Sequence, residues 1–137
     1  MANYCGVGRS NYFRVKDVDA FTAAFDQLDF DVVGGDADGT VAVLCRNESG
    51  DWVQYRWDDT NDTEAEVDVI ALIAEHLESG EVAVFHSIGH EKLRYMCGYA
   101  TAITDAGERV TVSIDDIYDM AAAHFATDRA AISTACY

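Results

Sequence analysis

Two histidines in His86-Ser-Ile-Gly-His90-Glu91 have the i, i+4 spacing of metal ligands. On a helix such a pair shares one face and can chelate zinc. This stretch reads instead as strand and turn, Gly89 interrupts it, and no third ligand is spaced to complete a site. Asp36-Ala-Asp38-Gly39-Thr40 suggests a calcium loop, which needs Gly at its sixth position and Glu at its twelfth. Here Gly is fourth and the twelfth residue is Asn47, so a hairpin turn is the expectation. Gly6-Val7-Gly8 precedes a strand rather than opening a helix, and phosphate binding does not follow. Ser10, Ser87 and Cys97 lack a histidine at a diagnostic distance. Cys5, Cys45, Cys97 and Cys136 form no C-x-x-C pair and are read as small buried hydrophobes or idle thiols. No catalytic residue, cofactor or metal ligand is assigned, and an enzyme is the less favoured class.

Charge sorts the partners more firmly. Acids outnumber bases 25 to 9 in 137 residues, a formal charge of -16. Such a chain is repelled by nucleic-acid backbones and anionic membranes and attracted to cations or basic protein surfaces. The charge is uneven. Residues 1–16 hold Arg9, Arg14 and Lys16 and no acid, whereas residues 17–70 hold fifteen acids against Arg46 and Arg56. No apolar run nears the roughly 18 residues of a membrane span, and residues 1–10 lack a signal-peptide core. A cytoplasmic location is the expectation. Half of the residues are apolar, which suits one folded domain of this length.

The periodicities predict a strand at 11–15 and a helix at 17–28, capped by Asp17 and built on Val18, Phe21, Phe25 and Leu28. Strands at 30–33 and 40–46 form a hairpin turning at Asp38-Gly39. A half-buried strand at 52–58 alternates Val53, Tyr55 and Trp57 with Gln54 and Arg56. A long helix is predicted over 63–78, then strands at 82–87, 93–104 and 110–114 and a last helix at 115–126. Residues 129–137 add a short strand or lie loose. The expected class is α+β, a single domain over 1–137 with mostly antiparallel sheet and three helices. Its order hints at two α-β-β-β halves.

On a helix at 63–78, Glu64, Asp68, Glu75 and Glu78 fall on one face. Like charges at i, i+4 destabilise a helix slightly, so a chain that keeps them has a use for them. Glu64 and Asp68 would lie about 6 Å apart along the axis, close to the roughly 6–7 Å between successive phosphates of a nucleic-acid strand. Asp58, Asp59, Asp62, Glu64, Glu66, Asp68 and Glu75 are therefore the candidate partner-binding residues. The plainer reading is a solvated face in a salt-adapted organism, where salt screens the repulsion.

Two stretches carry a resemblance. Ser10-Asn-Tyr-Phe-Arg-Val-Lys-Asp17 with the Phe21 and Phe25 helix, and Gly89-His-Glu-Lys-Leu-Arg-Tyr95 before a Gly-Tyr-Ala strand, resemble a family of small, largely uncharacterised proteins. That family is encoded on plasmids, phages and integrative elements of prokaryotes. The resemblance implies a context, not a chemistry. Small acidic proteins on mobile elements are often inhibitors of host defence, of anti-restriction or anti-CRISPR type. The expectation is a non-enzymatic acidic binding protein that mimics DNA on a basic, nucleic-acid-binding surface of a host protein, without binding nucleic acid or membrane itself. The alternatives are a small ligand- or metal-binding domain or enzyme with a pocket at His86, His90, Glu91 and Arg94, and an oligomeric structural protein with halophilic acidity. A homodimer is compatible with each.

Overall fold

Six segments with alternating or continuous apolar residues align into one antiparallel sheet, and a short seventh strand extends it. The computed structural model describes residues 4–35 and 38–135. The strands are β1 (Cys5–Ser10), β2 (Phe13–Arg14), β3 (Phe30–Gly34), β4 (Thr40–Cys45), β5 (Val53–Asp58), β6 (Thr63–Asp68), β7 (Val82–Glu91), β8 (Tyr95–Thr104) and β9 (Arg109–Ser113). The helices are α1 (Val18–Ala24), α2 (Val69–His76) and α3 (Asp116–His124). The fold is α+β. β4 pairs with β3 along one edge and with β1 and β2 along the other, and β7, β8 and β9 follow β1. β5 and β6 stand apart as a two-stranded ribbon.

One face of the sheet carries the core. Phe13, Phe30, Val41, Val43, Ala83, Phe85 and Ile103 are buried there beneath Phe21 and Phe25 of α1 and Val69, Ile70, Ile73 and Ala74 of α2. Asp17 caps α1 as expected, accepting from the amides of Asp19 and Ala20 at 3.0 and 3.2 Å. The helix stops at Ala24, and Gln27 takes a left-handed φ of 68°. A run of rings, Phe13, Phe21, Phe25, Phe30, Trp52 and Phe85, crosses the core, with successive centroids 4.8–5.8 Å apart. Such offset and edge-on contacts add to the burial of each ring.

The Ser10-Asn11 corner lets one segment serve two neighbours. β1 runs along β7, and β2 continues along β4 alone. At the corner the buried Ser10 hydroxyl accepts from the Val43 amide at 2.8 Å. The Asn11 side chain stands in for a ladder group, its Oδ1 accepting from the Val84 amide at 2.8 Å. Both amides would otherwise be left without partners, which is costly in a core.

β1 was not anticipated from the sequence, and its glycines have a packing role. The segment 48–50 crosses over β1, where the Gly6 amide donates to the Glu48 carbonyl at 2.6 Å. A Cβ on Gly8 would lie 2.8 Å from the Gly50 carbonyl oxygen, and one on Gly50 would lie 2.6 Å from the Val7 backbone. Gly50 also has a φ of 66°, which favours glycine. The G-x-G pair is thus the floor beneath a crossing chain. Immediately after it, Trp52 enters the core and donates its indole N–H to the His86 carbonyl at 3.2 Å.

Four expectations are corrected. Residues 63–68 are strand, not the first turns of a helix, because they pair in full register with β5. The helix begins at Val69, with Asp68 as N-cap accepting from the Ala71 amide at 3.2 Å. The two halves are not equivalent, since four strands follow α1 and three follow α2. Cys5 and Cys97 are exposed, and only Cys45 of the described cysteines is partly buried, which pushes its thiol pKa up. Residues 129–131 form a short 3-10 turn rather than a strand.

Replacing Ser10 with Ala leaves the Val43 amide unpaired in the core and is expected to lower stability by about 1–3 kcal/mol. Urea unfolding should show a lower midpoint with an unchanged slope.

Candidate functional site

The β5–β6 ribbon gathers the acidic cluster and reshapes it. Its register pairs Val53 with Asp68, Tyr55 with Glu66 and Trp57 with Glu64. Directly paired residues share a face, so these six side chains form two parallel rows on one side of the ribbon. All six are exposed, with Tyr55 at 62% and Trp57 at 54%. The opposite side turns inward. There Val67 packs against the core, and Gln54 accepts from the Asp29 amide at 2.8 Å. The alternation expected at 52–58 is present: the aromatic side meets solvent and the Gln54 side meets the protein.

Strand geometry also resets the spacing. Glu64 and Asp68, on a strand, lie about 13 Å apart rather than the 6 Å of a helix. Glu64, Glu66 and Asp68 instead step along one face at about 6.8 Å, two residues at a time. The helical acidic stripe is therefore not formed, but a row of carboxylates at near-phosphate spacing is. Glu75 stays on the exposed side of α2, off this row, and Glu78 lies beyond that helix.

The carboxylates do different work. Asp68 caps α2 and bonds Arg109 at 3.0 Å, so it holds the ribbon to the helix and to β9. Asp58 closes the ribbon's tip, accepting from the Thr60 amide at 2.9 Å and the Asn61 side chain at 2.7 Å. The Asn61 bond first, and the Thr60 amide second, hold the Asp58 carboxyl below its ordinary value. Among the described residues, Asp59, Asp62, Glu64 and Glu66 enter no ion pair. Four carboxylates around two exposed rings are thus available for contact. Tyr55 and Trp57 were the residues missed. The signal was present in Thr-Glu-Ala-Glu-Val-Asp, whose period of two marks a strand that would leave its acids beside those rings.

The alternative site does not assemble. His86 and His90 both point outward from β7, but at positions i and i+4 of a strand they lie about 13 Å apart, too far to share an ion. Glu91 pairs with Tyr95 and so faces the other side of the sheet. Arg94 lies over the Tyr95 ring at 5.4 Å. Among the described residues no group of three metal-ligating side chains converges. A shallow groove of about 680 Å³ does include His90, but its walls are Val7, Ile88, Leu93, Met96 and Cys97 rather than the polar set. Asp38 accepts from the Thr40 amide at 3.1 Å as a turn residue, while Asp36 lies outside the described residues. No helix among them is long and apolar enough to cross a membrane.

No protein-family model, curated protein sequence or solved structure matches the chain.

Because its folded pKa is depressed, Asp58 stabilises the ribbon tip fully above the ordinary value of 3.8 and loses this as pH falls through the lower folded value. Carboxyl carbon shifts followed by NMR should place its midpoint below 3.8. In Asp58→Ala the Thr60 amide should exchange faster at neutral pH.

Proposed function

We propose that this chain is a non-enzymatic binding protein whose β5–β6 ribbon imitates a nucleic-acid strand to a basic, nucleic-acid-binding surface of another protein. One observation carries the reading: the cross-strand pairs Tyr55–Glu66 and Trp57–Glu64 place a carboxylate row beside an exposed ring row. Proteins that hold single strands use a basic groove for the phosphates and flat side chains for the bases. The ribbon offers a counterpart to each, carboxylates for the Lys and Arg of such a groove and rings for its stacking platforms. Arg and Lys also bind aromatic faces directly. Exposed aromatics ringed by charge have the composition of binding hot spots. Asp59 and Asp62 extend the negative surface to the ribbon's tip.

The ribbon rests on the protein by its Gln54 and Val67 side and turns the acidic side outward. Its base is fixed by the Val69 amide on the Trp52 carbonyl at 3.2 Å and by the Asp68–Arg109 pair. The acidic surface can therefore meet a partner without reorganising the core. A place on a mobile element, where blocking a host nuclease or defence complex is useful, suits this activity.

The test is capture from nuclease-treated host lysate on the immobilised full chain. We expect one basic nucleic-acid-handling protein, released by added single-stranded DNA and held at least tenfold more weakly in high salt, since charge neutralisation drives the contact. Trp57→Ala should weaken binding about 30-fold or more if it is a hot spot, and the Glu64→Gln, Glu66→Gln double variant should do likewise. Binding that is unchanged in both variants, or indifferent to competing DNA, refutes the proposal.

A further inference from the structure

The sheet has two faces, and over β1, β7, β8 and β9 the outer one is largely uncovered. Registers β1–β7, β7–β8 and β8–β9 place Val7, Ile88, Met96, Val110 and Val112 on the side away from α1 and α2. Val7 is 63% exposed, Ile88 57% and Val112 58%. Ile114 joins them, lying against Gly98. The groove of about 680 Å³ is one end of this surface. α3 leaves from the same edge and buries none of its own residues, with Ile117, Met120 and Phe125 all exposed.

The charge on this face is as unusual as its polarity. By the same registers, no Asp or Glu takes an outward position on β1, β2, β4, β7, β8 or β9. The single outward acid, Asp31 on edge strand β3, is paired with Arg46 at 3.5 Å. In a chain with 25 acids, the outward strand positions hold no unpaired carboxylate, and Asp115 and Asp119 stand only at the edge, in a hollow beside Met96. Apart from the Asp31–Arg46 pair, charge at the outward strand positions is limited to Arg9 and Arg14, with His86 and His90 beside them.

We propose that this face is the interface of a homodimer, with a second copy of the chain as its occupant. Two copies each carrying -16 repel one another through any other surface, and this is the face where apolar contact meets the least like charge. A basic partner finds no carboxylate here and is drawn to the ribbon instead. The area fits as well. The outward aliphatic and Met side chains expose on the order of 700 Å², close to the roughly 800 Å² per partner of a stable interface and beyond the few hundred Å² usual on a monomer. A twofold contact lays sheet on sheet at about 10 Å and leaves both ribbons free.

This contact has the opposite salt response to the ribbon's. Apolar burial drives it and net charge opposes it, so added salt tightens it. Sedimentation equilibrium of the full chain, in low and in molar salt, tests the proposal. We expect a species of twice 15.0 kDa, favoured by salt. Ile88→Glu and Val112→Glu replace exposed side chains and should each weaken the dimer at least tenfold, with unchanged circular dichroism and unfolding midpoint. The Glu64→Gln, Glu66→Gln variant should dimerise at least as well as the parent chain. A 15.0 kDa monomer in both salts overturns the proposal, whether the face then takes another protein or an apolar small molecule. A dimer that survives both sheet variants also overturns it.

Discussion

The crossing of residues 48–52 over β1 is the constraint on which the rest of the molecule depends. Gly6 and Gly8 leave no side chains in the way, and Gly50 bends where a Cβ would strike Val7. The crossing delivers Trp52 to the centre of the core, stacked on Phe30 with centroids 5.2 Å apart and held by the His86 carbonyl. Ser87 ties the crossing down from below, donating to the Gly50 carbonyl at 2.9 Å. Because β5 starts at the residue after Trp52, the position of the ribbon is set by this anchor. A bulkier residue at Gly8 or Gly50 would disturb the core and the ribbon together.

From that anchor the molecule separates its charge. Acids gather on the ribbon and around the helices, while the outward strand positions of the sheet are mostly apolar and carry one carboxylate, Asp31, paired with Arg46. The two proposed contacts have opposite expected responses to salt, and a bivalent particle would result if both form. Two ribbons on one dimer would then engage a repeated or symmetric partner with avidity that neither ribbon has alone.

The sequence was most legible where one segment determined its own structure. Asp17 as cap, the 30–34 and 40–45 hairpin, and most of β8 follow from local pattern, whereas β7 runs on through Gly89 to Glu91, past the expected end at Ser87. It was least legible where partners were distant. Thr63 to Asp68 lies nearer in sequence to its partner, yet its residues suit helix as well as its period of two suits strand, and pairing with β5 decides between them. That change moved Glu64, Glu66 and Asp68 from a helical stripe to a strand row. The side that Tyr55 and Trp57 face could not be read from alternation alone, which gives two faces without saying which is buried. β1 was overlooked because its core-side positions are Gly6 and Gly8, which supply no apolar signal until Trp52 is seen lying above them.

The proposed ribbon contact is tested most directly by photo-crosslinking from its centre. A benzophenone side chain at position 57 is compared in the native host with one at Tyr12, an exposed aromatic position outside the ribbon. The account predicts that position 57 links to one basic, nucleic-acid-binding protein, that position 12 does not, and that nucleic acid competes with the adduct. No adduct from position 57, or the same adducts from both positions, would contradict it.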